Sequence, residues 1–174
     1  MSRSAPVAET ARLVLRHLDA DDAEFIVLLL NDPDWLRFIG DKNVHSADAA
    51  RSYIANGPMA MYAREGFGLY LTERKDGAIP IGMCGLIKRD ALPDVDIGFA
   101  LLPAYRGQGY ALEAATAVMA LGRKTLGLRR IVGITSPDND RSIALLEKLG
   151  MKAEGVTQLL PGDAATALFA RDFG

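Results

Sequence analysis

The sequence predicts an α+β fold in which a central mixed, mostly antiparallel, twisted sheet of about seven strands is flanked by helices. Three strand-like runs, at 67–73, 79–88 and 95–102, follow one another through short turns and predict an antiparallel meander. A long segment rich in Ala and Leu then leads into a further strand, which predicts a helix packed on the sheet. The predicted element order is βααβββαβαββ.

The N-terminal third is predicted to hold the first strand and the early helices. Residues 12–17 alternate apolar and polar side chains, as a half-buried strand does. A helix is predicted to begin near Asp19, and a short helical piece is predicted at 34–39. Ser46 is a candidate N-cap for another helix, which Gly57-Pro58 is predicted to end.

The remaining elements follow from local signals. Asp76-Gly77 is typical of a hairpin turn. Helices are predicted at 109–125 and 139–149, the second ended by Gly150 in the left-handed conformation. Strands are predicted at 130–135, 153–160 and 167–172, and the strand–helix–strand unit 95–135 should be parallel and right-handed.

Composition and charge narrow the function classes. The 174 residues suit one domain, 1–174, and the formal net charge of −2 gives no reason to expect binding to nucleic acid or to a membrane. No apolar run is long enough to span a bilayer. Cys84 is the one cysteine, so we expect no internal disulfide, no metal site and a reducing, cytoplasmic setting.

One segment carries a chemical signal, Pro103-Ala-Tyr-Arg-Gly-Gln-Gly-Tyr-Ala111, between a strand and the long helix. Two glycines allow the backbone to approach a ligand, and the helix start behind them offers unpaired N–H groups for a phosphate. Arg106 would add positive charge at the loop. The alternative is a glycine-rich turn that binds no ligand. A dinucleotide-binding fingerprint is disfavoured because Leu112 occupies the position of its third glycine. A P-loop is excluded because no Gly-Lys-Ser/Thr follows the glycines.

Two ordered blocks resemble the GNAT superfamily of N-acetyltransferases. Arg106-Gly-Gln-Gly-Tyr-Ala111 is similar to the family's Arg/Gln-x-x-Gly-x-Gly/Ala loop, and 139–151 is similar to its Asn-x-x-Ser/Ala helix ending in Lys-Leu-Gly. Thr10-Ala-Arg-Leu-Val-Leu-Arg16 and Gly98-Phe-Ala-Leu-Leu-Pro103 resemble the branch that acetylates ribosomal-protein Ala or Ser N-termini. The resemblance implies a GNAT-like fold.

The resemblance also implies a site for acetyl-coenzyme A. Main-chain N–H groups of the loop would hold its diphosphate, and the strand at 95–102 would carry a bulge and pair with the pantetheine arm. Asn139 would contact that arm or serve only as a helix N-cap. The implied cofactor-binding residues are Phe99, Ala100, Leu101, Leu102, Arg106, Gly107, Gln108, Gly109, Tyr110, Ala111, Asn139 and Ser142.

The candidate catalytic residues depart from the pattern of the family that the sequence resembles. Many family members use a Tyr on the last helix to protonate the leaving sulfur, but Leu146 stands at the matching position and Ser142 is the replacement candidate. An ordinary helix hydroxyl that bonds to the preceding turn is its alternative. Asp96 is the candidate base, with Glu154 or proton loss through water as alternatives.

The predicted function is transfer of the acetyl group of acetyl-coenzyme A to a primary amine by direct attack in a ternary complex. A peptide or protein N-terminus is the favoured acceptor, and a small-molecule amine is the second. The alternative is a non-catalytic acyl-coenzyme A sensor or interaction module on the same fold, which the missing Tyr keeps open. Both a monomer and a homodimer are compatible with the sequence.

Overall fold

A computed structural model describes residues 4–174 and contains one mixed sheet of eight strands. The strands are β1 Pro6–Glu9, β2 Leu13–Arg16, β3 Leu69–Arg74, β4 Ile79–Ile87, β5 Asp96–Leu101, β6 Arg130–Thr135, β7 Lys152–Thr157 and β8 Thr166–Asp172. Their spatial order is β1-β2-β3-β4-β5-β6-β8-β7. All neighbours are antiparallel except β5 and β6, which are parallel as the strand–helix–strand unit predicts.

The sheet has one strand more than the sequence predicts. The short segment Pro6–Glu9 pairs with β2 across a register shift, and neither its length nor its Pro marks it as a strand. Within residues 4–174, six α-helices accompany the sheet: α1 Ala23–Leu30, α2 Pro33–Phe38, α3 Ala47–Ile54, α4 Ala60–Glu65, α5 Tyr110–Ala120 and α6 Asp140–Lys148.

The predicted helix end at Gly57-Pro58 is wrong. A wider π-helical segment, Ala55–Met59, carries the chain directly from α3 into α4 with Pro58 inside it. A π-turn bonds i to i+5, so it tolerates the missing N–H of a proline better than a regular α-turn does. The helix then ends at Gly66, which has a φ of 80°.

Two apolar layers cover the two faces of the sheet. On one face, α5 and α6 pack on residues such as Leu15, Ile97 and Ile131. On the other face, α1 and α3 pack on Leu71 and Met83. Among residues 4–174, no helix is both long and apolar enough to cross a membrane. The arrangement leaves the junction of β5 and β6 between the two layers.

Candidate functional site

The parallel strands β5 and β6 share a single residue pair, Asp96 with Val132, and then pair no further. By contrast, β4 and β5 pair over six consecutive residues without a register shift. The bulge expected in β5 from the family resemblance is therefore absent from its pairing with β4, and the pairing is interrupted on the β6 side. We call the unpaired gap between β5 and β6 the fork.

Main-chain groups of β5 point into the fork at alternate residues. The Leu102 N–H donates to the Ile81 carbonyl oxygen on β4 at 2.9 Å, whereas the Val95 carbonyl oxygen accepts from Val132 on β6. Because successive peptide groups of a strand point to opposite sides, Phe99 and Leu101 direct their N–H groups toward the fork. Ala100 and Leu102, also predicted as cofactor-binding, direct theirs toward β4.

The loop after β5 offers a run of free amides. Within residues 4–174, no carbonyl or side-chain oxygen accepts from the N–H groups of residues 107–112. Gly107 and Gly109 have φ angles of 73° and 82°, which residues with a Cβ rarely adopt. The first helical bond of α5 runs from the Glu113 N–H to the Gly109 carbonyl oxygen, so the free amides lie at the helix N-terminus.

The side chain of Arg106 has a different role from the one its position predicts. Its guanidinium pairs with Asp32 at 2.6 Å and Asp34 at 2.8 Å, and it also donates to the Leu101 carbonyl oxygen. Two carboxylates thus offset its charge, which weakens any direct attraction for a phosphate. Arg106 instead ties the start of α2 to the end of β5.

The N-terminus of α6 holds the other predicted ligand residues. The Asn139 Oδ1 accepts from the Ser142 N–H at 3.3 Å, so Asn139 is the N-cap of α6. The Ser142 Oγ has no hydrogen-bond partner within the described chain, so it does not bond to the preceding helical turn. Its hydroxyl is therefore free to interact with a ligand.

Asp96 lies at the closed end of the fork with 1% of its residue surface exposed. Burial raises its pKa to about 6, although the Arg89 guanidinium, 3.0 Å away, acts in the opposite direction. The carboxyl group is therefore mostly ionised at neutral pH and close to its protonation point, which suits a general base.

Glu154 and Cys84 are weaker candidates for a catalytic role than Asp96 and Ser142. Hydrogen bonds from Arg130 lower the pKa of Glu154, and Arg130 also pairs with Asp94 and Asp172. This ion cluster accounts for Glu154 without a catalytic role. Cys84 is buried in β4, and burial raises the pKa of its thiol to about 12, so it is a core residue and a poor nucleophile.

Two groups of charged side chains at the candidate site were not predicted from the sequence. Arg12 and Glu113 form an ion pair at 2.8 Å beside the loop at 106–111, which we call the glycine loop. Arg89 forms an ion pair with Asp96. A Glu in the first turn of a helix is a recognisable sequence signal, but it reads as a helix-dipole effect and does not reveal its distant partner. Within residues 4–174, no group of three His, Cys, Asp or Glu side chains could hold a metal ion.

Comparison with solved structures identifies the same fold. The ribosomal L7/L12 alpha-N-protein acetyltransferase RimL, solved in complex with coenzyme A, superposes with a TM-score of 0.82 at 21% identity, covering 97% of this chain and 98% of that chain. The ribosomal-protein-S5-alanine acetyltransferase from Vibrio fischeri has a TM-score of 0.72 at 18% identity, covering 95% of each chain. At these identities the similarity shows the fold.

Sequence comparison identifies the family. The family model described as an acetyltransferase (GNAT) domain matches residues 12–152. A Bacillus subtilis (strain 168) protein named uncharacterized N-acetyltransferase YoaA is 31% identical over 153 residues, covering 87% of this chain and 85% of the relative. The predicted family and α+β fold class are thereby confirmed, and the chain belongs to the GNAT family of acetyltransferases.

Proposed function

We propose that the chain transfers the acetyl group of acetyl-coenzyme A to a primary amine, by direct attack while both substrates are bound. The observation that carries this proposal is the run of free amides at 107–112, next to an open fork in the sheet. Free, convergent N–H groups at a helix N-terminus are suited to a diphosphate, and unpaired strand edges are suited to an extended amide-containing arm.

The residues present fit the coenzyme. The amides of Gly107, Gln108, Gly109, Tyr110 and Ala111 would hold the diphosphate, since nothing in the described chain competes for them. The Phe99 carbonyl oxygen and the Leu101 N–H would pair with the pantetheine arm, and the Asn139 amide nitrogen would donate to it. When bound, acetyl-coenzyme A supplies an activated thioester.

Phe99 provides the donor for the oxygen on which negative charge develops. Its N–H points into the fork, and a fixed main-chain dipole in a site shielded from water needs no reorganisation as the charge forms. Removal of one oxyanion donor in a serine protease costs about 10²–10³ in kcat, which gives the scale of the effect expected here.

Ser142 is the proposed proton donor to the sulfur leaving group. Leu146, one helical turn further along α6, packs on β6, and residues four apart share a helix face. Ser142 therefore lies on the sheet-facing side of α6, near the C-terminal end of β6. Its unpartnered hydroxyl supports the assignment, since a hydroxyl already donating inside the helix would be less available.

Asp96 is the proposed general base. The strand rise of about 3.3 Å per residue separates it by roughly 10 Å from Phe99, so we infer that it takes the amine proton through a short chain of waters. Residues 96, 98 and 100 alternate onto the sheet face where Ala100 packs with the α1–α3 layer. We infer that the acceptor amine enters from that face.

A peptide or protein N-terminus is the favoured acceptor, and a small-molecule amine is the alternative. The fold shared with two ribosomal-protein N-terminal acetyltransferases supports the first, although one fold serves many substrates. An α-amino group also has a pKa near 8, well below that of a lysine, so a base with a pKa near 6 can deprotonate it more readily.

The test is a mass-spectrometric screen of the purified protein with acetyl-coenzyme A and mixed amines. The mixture holds peptides with free N-termini, the same peptides blocked at the N-terminus, polyamines and amino sugars. We expect a 42 Da addition on free N-termini and thiol release that depends on the amine. Saturable coenzyme binding without turnover of any amine would instead favour a non-catalytic sensor.

A further inference from the structure

Arg12, which immediately precedes β2, makes three contacts, one with the glycine loop and two with the first turn of α5. Its Nε donates to Glu113 Oε1 at 2.8 Å and its terminal NH1 donates to the Gln108 carbonyl oxygen at 3.0 Å. Its guanidinium carbon lies 4.2 Å from the centroid of the Tyr110 ring, a cation–π distance. Arg12 therefore holds the loop from the side of the first two strands.

The contact with Gln108 sets the direction of one amide. No peptide bond in the described chain is cis. In a planar trans peptide the carbonyl oxygen and the following N–H point in opposite directions. Because the Gln108 oxygen is turned toward Arg12, the Gly109 N–H must point away from it. Gly109 is one of the residues whose amide has no acceptor in the described chain.

The partner of Arg12 is itself held in place. Glu113 Oε2 accepts from the Arg12 main-chain N–H at 3.0 Å and from the Thr10 hydroxyl. Partial burial favours the neutral carboxyl, but the hydrogen bonds from Thr10 and Arg12 hold the pKa of Glu113 below its ordinary value. The carboxylate therefore stays charged at neutral pH and fixes the guanidinium through a charge-assisted bond.

We propose that Arg12 is a positioning residue for coenzyme binding, which orients the Gly109 amide by holding the Gln108 carbonyl oxygen. This role rests on the proposed coenzyme site and requires no contact between Arg12 and the reacting atoms. The glycines give the loop many accessible conformations. Without the contacts made by Arg12, the free amides would therefore point toward the diphosphate in a smaller fraction of molecules.

The experiment compares Arg12→Gln and Arg12→Lys with the wild-type chain, using two acetyl donors. One donor is acetyl-coenzyme A, and the other is S-acetylpantetheine, which lacks the diphosphate. For R12Q we expect the Kd of coenzyme A and the KM of acetyl-coenzyme A to rise about tenfold, with kcat within about twofold of wild type. With S-acetylpantetheine we expect kcat/KM within about twofold of wild type.

For R12K we expect a Kd of coenzyme A between those of wild type and R12Q. A lysine ammonium can contact Glu113 or Gln108, but it does not reproduce the planar guanidinium that binds both. The matched control is Arg51→Gln, which breaks an exposed Arg–Asp pair on α3 and should change neither donor's kinetics. Thr10→Val, which removes one Glu113 donor, should weaken coenzyme A binding by a smaller factor.

Two results would overturn the role of Arg12. The first is R12Q binding coenzyme A as tightly as wild type. The second is an equal loss on both donors, which would mean that Arg12 supports the fold in general. Failure of the wild-type chain to bind coenzyme A is a separate result, which would remove the proposed site and with it this role.

Discussion

Leu146 on α6 packs directly on Gly133 of β6: a Cβ added to Gly133 would lie 2.7 Å from the Leu146 Cδ2 atom. The glycine therefore makes room for a branched apolar side chain at the position that the family resemblance matches to a catalytic Tyr. Leu146 is 1% exposed and belongs to the core beneath α5 and α6. The position has a packing role here, and the candidate acid lies one turn earlier at Ser142.

Truncation of Leu146 should destabilise the protein without specifically affecting the chemistry. We expect Leu146→Ala to lower the free energy of unfolding by about 2–5 kcal/mol, because it leaves a cavity over Gly133. Urea unfolding followed by circular dichroism measures the change. The control is Val156→Ala on β7, where the side chain is 67% exposed and we expect a change within about 0.5 kcal/mol. A loss below 1 kcal/mol for L146A would contradict this packing.

Removal of the Ser142 hydroxyl should lower the rate of the reaction without lowering the stability of the protein. The Ser142 Oγ has no hydrogen-bond partner in the described chain, so Ser142→Ala should leave the melting temperature within about 1 °C of wild type. If the hydroxyl protonates the sulfur, kcat should fall by roughly 10²-fold with little change in the Kd of coenzyme A. Ser52→Ala, at an exposed position on α3, is the control. An unchanged kcat would rule out Ser142 as the acid.

A bulky residue at Gly109 should strongly weaken coenzyme binding. Gly109 has a φ of 82°, so Gly109→Val must either strain the loop or move it, and the neighbouring amides would turn away from the diphosphate. We expect the Kd of coenzyme A, measured by calorimetry, to rise by roughly 10²-fold.

Gly127→Val is a matched control for backbone strain. Gly127 has a φ of 67° and no atom within 4 Å of an added Cβ, but it lies beyond the far end of α5. The control should lose stability and keep its affinity for coenzyme A. Equal affinity in G109V and wild type would show that the loop does not hold the coenzyme.

The protonation of Asp96 should appear in the pH dependence of the rate. With a pKa raised to about 6 by burial, the base loses activity as the pH falls through 6, and Asp96→Asn should lower kcat/KM by roughly 10²-fold and remove that limb. Acceptors of different amine pKa separate the enzyme's limb from the substrate's, because only the latter moves with the acceptor. Asp90→Asn, at an exposed loop position, should match wild type. A limb that persists in D96N would assign the base elsewhere.

The same carboxyl group should make stability depend on pH. Its folded-state pKa is raised above its unfolded value of about 4, so its contribution to stability is fully present below pH 4 and is lost as the pH rises through 6. Wild type should therefore lose unfolding free energy relative to D96N between pH 4 and pH 7. A constant difference between the two proteins across that range would contradict the raised pKa.

Features that depend on a few neighbouring residues were predictable from the sequence. Ser46 and Asn139 cap their helices through their side chains, and Gly150 ends α6 with a φ of 82°, each as its local pattern indicates. The parallel strand–helix–strand unit around the glycine loop was predictable for the same reason, since strand, turn and helix signals follow one another without a break.

Features that depend on distant residues were not predictable. Arg12 and Glu113 are 101 residues apart in the chain, and Arg106 and Asp32 are 74 apart, so no local pattern links them. The role predicted for Arg106 assumed that a cation near a phosphate loop faces the ligand. In the fold, the carboxylates of Asp32 and Asp34, at the junction of α1 and α2, form ion pairs with the Arg106 guanidinium.

The sheet divides at the single β5–β6 residue pair, Asp96 with Val132, into a five-stranded part, β1–β5, and a three-stranded part formed by β6, β8 and β7. Within each part, neighbouring strands are joined by antiparallel ladders of three or more residue pairs, whereas the seam depends on helices α5 and α6 and on that one pair. A small rotation of one part against the other would therefore disturb few main-chain bonds. We therefore expect any change in the width of the sheet to occur at this seam and not within either ladder.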